Sequence, residues 1–165
     1  MPHDAIMCRS AETPPQRMMS ALGDMAVWLS QRPSSGMGDT IVLYRQIIDR
    51  TEAFAAEATR RFEKSGGYKA DGALGIVPWL RDKAKLTGGS AAEHVEVARQ
   101  LDQLPRTEEA LQRGEIGYQH AVAMARTAEH VGASAVRKAE VNLLKAAESM
   151  IPDSSLPSPK ISSTG

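Results

Sequence analysis

The sequence lacks several features that would assign a function at once. Its single cysteine, Cys8, excludes a disulfide framework and the cysteine-rich zinc motifs. The 20 lysines and arginines balance the 20 aspartates and glutamates, so no net charge attracts the chain to nucleic acid or to an anionic membrane. No apolar run is long enough to span a bilayer, and the N-terminus has no apolar segment typical of a secretory signal. We therefore expect a cytoplasmic protein without membrane contact.

Aromatic residues are also scarce, at 4% of the chain, whereas alanine is abundant with 24 residues. Alanine is the strongest helix former and buries little area per residue, so this composition favours helices that pack closely around a thin core. Apolar residues recur at helical spacing through the middle of the chain and nowhere alternate as in a half-buried strand. The sequence predicts an all-α fold, a bundle of about five to seven mostly short helices.

Proline and small polar residues indicate how the chain is organised. Seven of the nine prolines precede residue 34 or follow residue 151. The ends of the chain are rich in residues that bury little surface, which is typical of disorder. We predict a disordered leader at residues 1–15, a short helix and linker at 16–38, a helical domain at 39–149 and a disordered tail at 150–165.

Two amphipathic stretches begin the ordered part. Met18, Leu22, Met25 and Leu29 recur at i, i+4, i+7 and i+11, which predicts a helix over residues 16–31. After a Pro- and Gly-containing break, a second and longer helix should run to the stop at Ser65-Gly66-Gly67. Its predicted inward stripe consists of Ile41, Tyr44, Ile47, Ile48, Phe54, Ala55, Ala58 and Phe62.

Shorter helices with recognisable start and stop residues should follow. Pro78 suits the first turn of a helix that holds Trp79 and Leu80, and we expect the Trp79 ring to anchor the core. Ser90 and Glu93 have the spacing of a capping box, in which each side chain satisfies an unpaired backbone N–H. The remaining signals are helix ends at Leu104-Pro105, Gly114 and Gly132, and N-caps at Thr107 and Ser134.

The sequence contains no constellation typical of an enzyme. Its four histidines form no H-E-x-x-H pair, and none of them lie at the i, i+3 or i, i+4 spacing that lets two ligands on a helix reach one ion. Cys8 has no neighbouring base, and the Gly66-Gly67 and Gly88-Gly89 pairs lack the Lys-Ser/Thr of a phosphate loop. We predict no catalytic residue, no metal, no cofactor and no small-molecule substrate.

One segment has a more specific pattern. Residues 107–128 have the proportions of a helix-turn-helix motif, whose second helix enters the major groove and reads bases from its first turns. The candidate contacts with double-stranded DNA are Arg106, Arg113, Gln119, His120 and Arg126. However, Glu108, Glu109 and Glu115 lie where phosphates would approach, and two short angled helices are also common in small alanine-rich bundles. Both interpretations stay open.

Several motifs, in this order along the chain, resemble one known family. They are GYKADGALGIVPWL, LTGGSAAEHVEVARQLDQLPRTEEAL, RGEIGYQHAVAMARTAEHVG and AEVNLLKAAE. The resemblance runs from Gly67 to Ala147, about half of the chain. The family is the domain of unknown function 222, also called the 13E12 repeat, which is usually found ahead of a C-terminal HNH endonuclease domain.

The resemblance implies a non-catalytic N-terminal module of an HNH endonuclease-like protein. An HNH domain holds a metal ion and a general base with paired histidines, whereas residues 149–165 contain no histidine and no cysteine. No nuclease residue is therefore carried over, and we expect a truncated copy. The leucine-proline, Gly-Glu-Ile and His-Ala order also resembles the helix-turn-helix of partition-type DNA-binding proteins. The expected functions are thus interaction, including self-association through helices, or DNA binding through the helix-turn-helix segment.

Overall fold

The computed structural model describes residues 12–150. Seven α helices and one short 3₁₀ helix form in this part of the chain, and no β strand does, which confirms the predicted all-α fold. The helices are α1 (Pro14–Ser30), α2 (Met37–Ser65), α3 (Ile76–Lys83), α4 (Gly88–Leu101), α5 (Pro105–Arg113), α6 (Tyr118–Val131) and α7 (Ala133–Met150), with the 3₁₀ helix at Gly67–Asp71. None of these helices is both long and apolar enough to cross a bilayer. The predicted disorder of the two ends concerns mainly residues 1–11 and 151–165, which lie outside the described residues.

The chain divides into two compact units, the first ending at Ile41 and the second beginning at Val42. The first unit contains α1, which begins at Pro14, two residues before the predicted start. The Thr13 N–H donates to the Gln16 side-chain oxygen at 2.8 Å, and the prolines of the first turn have no N–H to satisfy. No residue of α1 is buried.

Helix α2 contacts the core through the face that carries small side chains and not through its most apolar face. Its buried residues are Asp49, Ala53 and Ala56. Ile41, Ile48 and Phe54, which belong to the predicted inward stripe, are 65%, 48% and 53% exposed, and Ala55 and Ala58 are exposed as well. That part of the prediction is wrong, because small side chains let neighbouring helices pack close to α2 and the core forms where the helices approach most closely.

The main core lies within the second unit and is built from α2, α4, α5 and α6. Leu101, Leu111 and Ile116 are its largest fully buried side chains, and six of its twelve residues are alanines. A smaller cluster of Leu104, Ala128 and Val136 contains residues of α6 and α7. The thin core that the composition predicts is therefore present.

Helix α3 packs against α4 through a separate cluster that includes Ile76, Leu80 and Val95. Trp79 is half-buried beside this cluster, with its ring centroid 4.6 Å from that of Phe62. Its indole N–H donates to the Asp71 carboxylate at 2.7 Å. Trp79 therefore covers the edge of the cluster. It does not fill the centre, although the sequence had led us to expect the ring to anchor the core.

The predicted capping box of α4 is wrong. The helix begins at Gly88, because Thr87 is the N-cap and its hydroxyl oxygen accepts a hydrogen bond from the Ser90 N–H at 3.1 Å. Ser90 thus lies at the third helical position, and Glu93 is left to pair with another helix. Gly88 and Gly89 form the first turn of α4.

Two further N-caps differ from the prediction, whereas the predicted glycine ends are correct. Helix α5 begins at Pro105 with Leu104 as N-cap, so Thr107 is the third helical residue and not the cap. Helix α7 begins at Ala133, before the predicted cap at Ser134. Gly114 and Gly132 follow α5 and α6 with φ of 76° and 92°, values that favour glycine over any other residue.

Candidate functional site

Helices α5 and α6 and the turn between them occupy the predicted helix-turn-helix segment. Helix α5 ends at Arg113, the left-handed Gly114 reverses the chain, and Ile116 is buried in the turn. Helix α6 then begins at Tyr118 behind the N-cap Gly117. The sequence pattern therefore places both helices correctly. The groups at the N-terminus of each helix decide what this helix-turn-helix segment can bind.

The N-terminus of α5 is capped by a buried carboxylate from α7. Leu104, the N-cap, has no side-chain acceptor, and Pro105 has no N–H to donate. Glu140 is fully buried, and its Oε1 accepts hydrogen bonds from the Thr107 backbone N–H at 2.9 Å and hydroxyl at 2.8 Å. Within residues 12–150, its Oε2 has no hydrogen-bond partner. The positive end of the helix dipole stabilises a carboxylate in this position.

The N-terminus of α6 is capped in the same way from α2. Gly117 has no side chain, and the Asp49 Oδ1 accepts a hydrogen bond from the Tyr118 N–H at 3.1 Å. A Cβ on Gly117 would lie 3.3 Å from the Asp49 Oδ2, so the glycine lets the carboxylate approach the helix end. The Arg45 Nη2 lies 2.6 Å from the Asp49 Oδ1, and this hydrogen bond raises the pKa of Arg45.

The N-termini of α5 and α6 are thus both capped by carboxylates of the same domain. A free helix N-terminus offers N–H groups and a positive partial charge, which is the arrangement that binds phosphate. Here the carboxylates of Glu140 and Asp49 accept hydrogen bonds from N–H groups at these helix ends, and their negative charge offsets the positive partial charge. A DNA phosphate approaching either end would meet negative charge.

Two of the three arginines among the predicted DNA contacts are already paired with carboxylates. Arg113 lies 2.7 Å from Glu109 and 2.7 Å from Glu115, and Arg126 forms an ion pair with Glu93 of α4. The hydrogen bond to Glu115 is the largest cause of the raised pKa of Arg113. Of the three glutamates that stood against the DNA hypothesis, Glu109 and Glu115 therefore contact Arg113. The third, Glu108, pairs with Arg60 of α2.

The predicted contact residues do not all line one groove. Arg106 is exposed, has no carboxylate partner in the described part of the chain, and lines an open groove between α5 and α7 together with Arg113 and Lys145. Arg126 lines a different groove, between α3, α4 and α6. Gln119 is exposed in the first turn of α6.

His120, the remaining predicted contact, is half-buried and turned toward the fold. A Cβ on Gly117 would lie 3.6 Å from the His120 Nδ1. This nitrogen is buried and has no hydrogen-bond partner among residues 12–150. His120 therefore does not present this nitrogen to a DNA base.

Sequence reasoning missed a polar cluster formed by Glu52, His94 and Tyr118. The Tyr118 hydroxyl lies 2.9 Å from the His94 Nδ1, which is 3.5 Å from the Glu52 Oε2, and the two rings stack with centroids 5.6 Å apart. Burial raises the pKa of Tyr118, and the charges of Glu52 and Glu93 add to that effect. These residues come from α2, α4 and α6, so no local spacing could have indicated them. Across the described residues, no three His, Cys, Asp or Glu side chains are placed to hold a metal ion.

Comparisons with known proteins place this fold in a family. Neither the curated proteins nor the solved structures give a significant match. Residues 43–155 match the model of the family described as "Domain of unknown function (DUF222)". The match covers more than half of the chain and begins one residue after the start of the second compact unit. The chain therefore belongs to the domain of unknown function 222 family.

Proposed function

We propose that this domain is a non-catalytic helical module that acts by associating with protein and does not read DNA. The observation that carries the proposal is the pairing of the candidate DNA-binding side chains. Arg113 and Arg126 are held by glutamates of the same domain, and the N-termini of α5 and α6 are held by Glu140 and Asp49.

The local charge matters more than the strength of these ion pairs. Exposed ion pairs contribute only about 0–1 kcal/mol each, so a phosphate could displace one at little cost. The displaced carboxylates would stay within about 10 Å, the distance over which charges act at ordinary salt concentrations. The group of Arg113 with Glu109 and Glu115 has one positive and two negative charges, and the pair of Arg126 with Glu93 is neutral. Neither group attracts a polyanion.

The motifs shared with the family support a finer proposal, that this module precedes an HNH endonuclease domain in a larger protein. In that arrangement the HNH domain supplies the metal ligands and the general base, and the helical module positions it. The test is the DNA downstream of the coding region. An HNH domain encoded within a short distance supports this proposal, whereas its absence from that stretch contradicts it.

DNA binding through the helix-turn-helix segment is the second candidate, and two observations favour it. Gln119 is exposed in the first turn of α6, where such motifs read bases, and Arg106 has no carboxylate partner among residues 12–150. In this alternative Gln119 contacts a base and Arg106 contacts a phosphate. His120 and Arg126 take no part.

An electrophoretic shift assay with a random pool of duplexes at low salt separates the two candidates. We expect the wild type to retain no preferred sequence, and Gln119→Ala and Arg106→Ala to behave like the wild type. Arg81→Ala, which removes an exposed arginine of α3, is the matched control. Sequence-selective retention that Gln119→Ala abolishes and Arg106→Ala weakens, while Arg81→Ala leaves it intact, would establish the DNA-binding alternative.

A further inference from the structure

We propose that the groove between α5 and α7 binds an acidic peptide segment of a protein partner. This inference rests on the proposed association function and names the surface that associates and the chemistry of the partner. The groove, here called the α5–α7 groove, lies wholly within the second unit and has a volume of about 450 Å³. That volume is within the range of about 300–1,000 Å³ for binding clefts, so the groove can receive a few side chains of a partner.

The floor of the α5–α7 groove is apolar. It is formed by Ala110, Val141 and Leu144. Ala110 belongs to the main core and Leu144 packs against it, so the core fixes the floor in place. Val141 is 38% exposed and presents an apolar side chain to the solvent. An apolar centre with a charged rim is the usual composition of a protein interface.

The rim of the groove has two cations without a carboxylate partner. Arg106 of α5 and Lys145 of α7 are exposed, and neither pairs with a carboxylate among the described side chains. Glu109 lies one turn after Arg106 but pairs with Arg113, which also contacts Glu115. Together these lining residues carry three positive and two negative charges. One carboxylate of a partner would therefore make the groove neutral.

The combination of an apolar floor with two unpaired cations favours an acidic peptide over the other partners. A peptide can place a single carboxylate at Arg106 or Lys145 while a neighbouring apolar side chain contacts Val141. Duplex DNA carries one negative charge per about 1.7 Å of its axis, so its backbone would also bring phosphates close to Glu109 and Glu115. A basic peptide would be repelled by the two unpaired cations.

The experiment selects peptides from a displayed library of random sequences on the full wild-type chain. We expect the enriched peptides to carry aspartate or glutamate next to a large apolar residue. Fluorescence anisotropy then measures how labelled copies of these peptides bind the wild type and a variant with Arg106→Glu and Lys145→Glu. Binding should weaken at least about tenfold in the variant, because two attractive contacts become repulsive. Added salt should weaken binding to the wild type, because it screens exposed charges.

The matched control is Arg81→Glu with Lys83→Glu, which changes the net charge equally at exposed residues of α3. This control should bind the enriched peptides as the wild type does. Val141→Ser tests the floor and should weaken binding about threefold, because it removes apolar surface that the peptide would cover. Circular dichroism should show the same helical content and melting for the wild type and both charge variants, since all four replaced side chains are exposed.

Three results would overturn the α5–α7 groove as a site for acidic peptides. The first is a selection that enriches no peptide, or only peptides without acidic residues. The second is equal binding of the enriched peptides to the wild type and to the Arg106 and Lys145 variant, which would place the peptide site elsewhere and leave the proposed association function intact. The third is a duplex that displaces the peptides from the wild type and does not bind the variant. That result would assign the groove to DNA and would contradict the proposed function as well.

Discussion

Replacing Glu140 with alanine should lower the free energy of unfolding by about 4 kcal/mol. The carboxylate is fully buried and accepts two hydrogen bonds from Thr107, one from the backbone and one from the hydroxyl. These bonds connect α7 to the first turn of α5. Alanine would leave both donors buried without an acceptor.

The magnitude follows from the contacts. A hydrogen bond to a charged group contributes about 1.5–3 kcal/mol, so losing the two at Glu140 costs about 3–6 kcal/mol. The charge–dipole interaction with α5 is included in that range. Glu140→Gln keeps the accepting oxygen but loses the charge, so its cost should be smaller, about 1–2 kcal/mol. A domain with a stability of about 5–15 kcal/mol survives the second change and is severely weakened by the first.

Urea unfolding followed by circular dichroism measures these differences. Glu129→Ala, an exposed glutamate on α6, is the matched control and should change the stability by less than about 0.5 kcal/mol. If Glu140→Ala does not fold, Thr107→Val provides a second test, because it removes only the hydroxyl donor and should cost about 1.5–3 kcal/mol. A loss of less than 1 kcal/mol in both Glu140→Ala and Thr107→Val would refute the capping role.

Three further predictions concern the other contacts of the second unit. Gly117→Ala should cost about 1–2 kcal/mol in urea unfolding, because the added Cβ lies 3.3 Å from the Asp49 cap, whereas Gly89→Ala meets no atom within 4 Å and should be neutral or stabilising. An equal effect of the two changes would contradict this. Trp79→Ala should cost about 3 kcal/mol, the low end for a large aromatic, since its ring is only half-buried; a normal melting curve would show that the edge of the cluster is dispensable. Because burial raises the pKa of Tyr118, the folded chain keeps the phenolic proton to a higher pH than the unfolded chain, so stability should fall above pH about 10. Tyr118→Phe should reduce that fall, and an unchanged alkaline unfolding curve would count against it.

Local sequence patterns predicted the helices well, because each helix is specified by its own residues. The apolar spacing indicated about five to seven helices, and the described residues form seven. Gly114 and Gly132 end helices as their conformational freedom implies. The inward face of α2 was wrong for a physical reason. Periodicity favours the stripe with Ile41 and Phe54, but close helix packing selects Ala53 and Ala56.

The candidate site could be predicted only where its contacts are local. Arg113 and Glu109 are four residues apart on α5, so their pairing can be read from the helical spacing. The two capping contacts cannot be read from helical spacing, because Asp49 lies 69 residues from Tyr118 and Glu140 lies 33 residues from Thr107. Their positions depend on tertiary packing. Local sequence preference had instead indicated Thr107 itself as the N-cap of α5. The same distance in sequence concealed the contact between His94 and Tyr118.

The central claim is that carboxylates of the domain pair with Arg113 and Arg126, two of the predicted DNA contacts. Fluorescence anisotropy of a labelled duplex at low salt tests it with the wild type and with a variant in which Glu93, Glu109 and Glu115 are glutamine. We expect the wild type to bind no better than a neutral protein. The variant should bind at least about tenfold more tightly, with log K falling by about 0.9 per log unit of salt for each arginine released. Tight, sequence-selective binding by the wild type, unchanged in the variant, would contradict the claim.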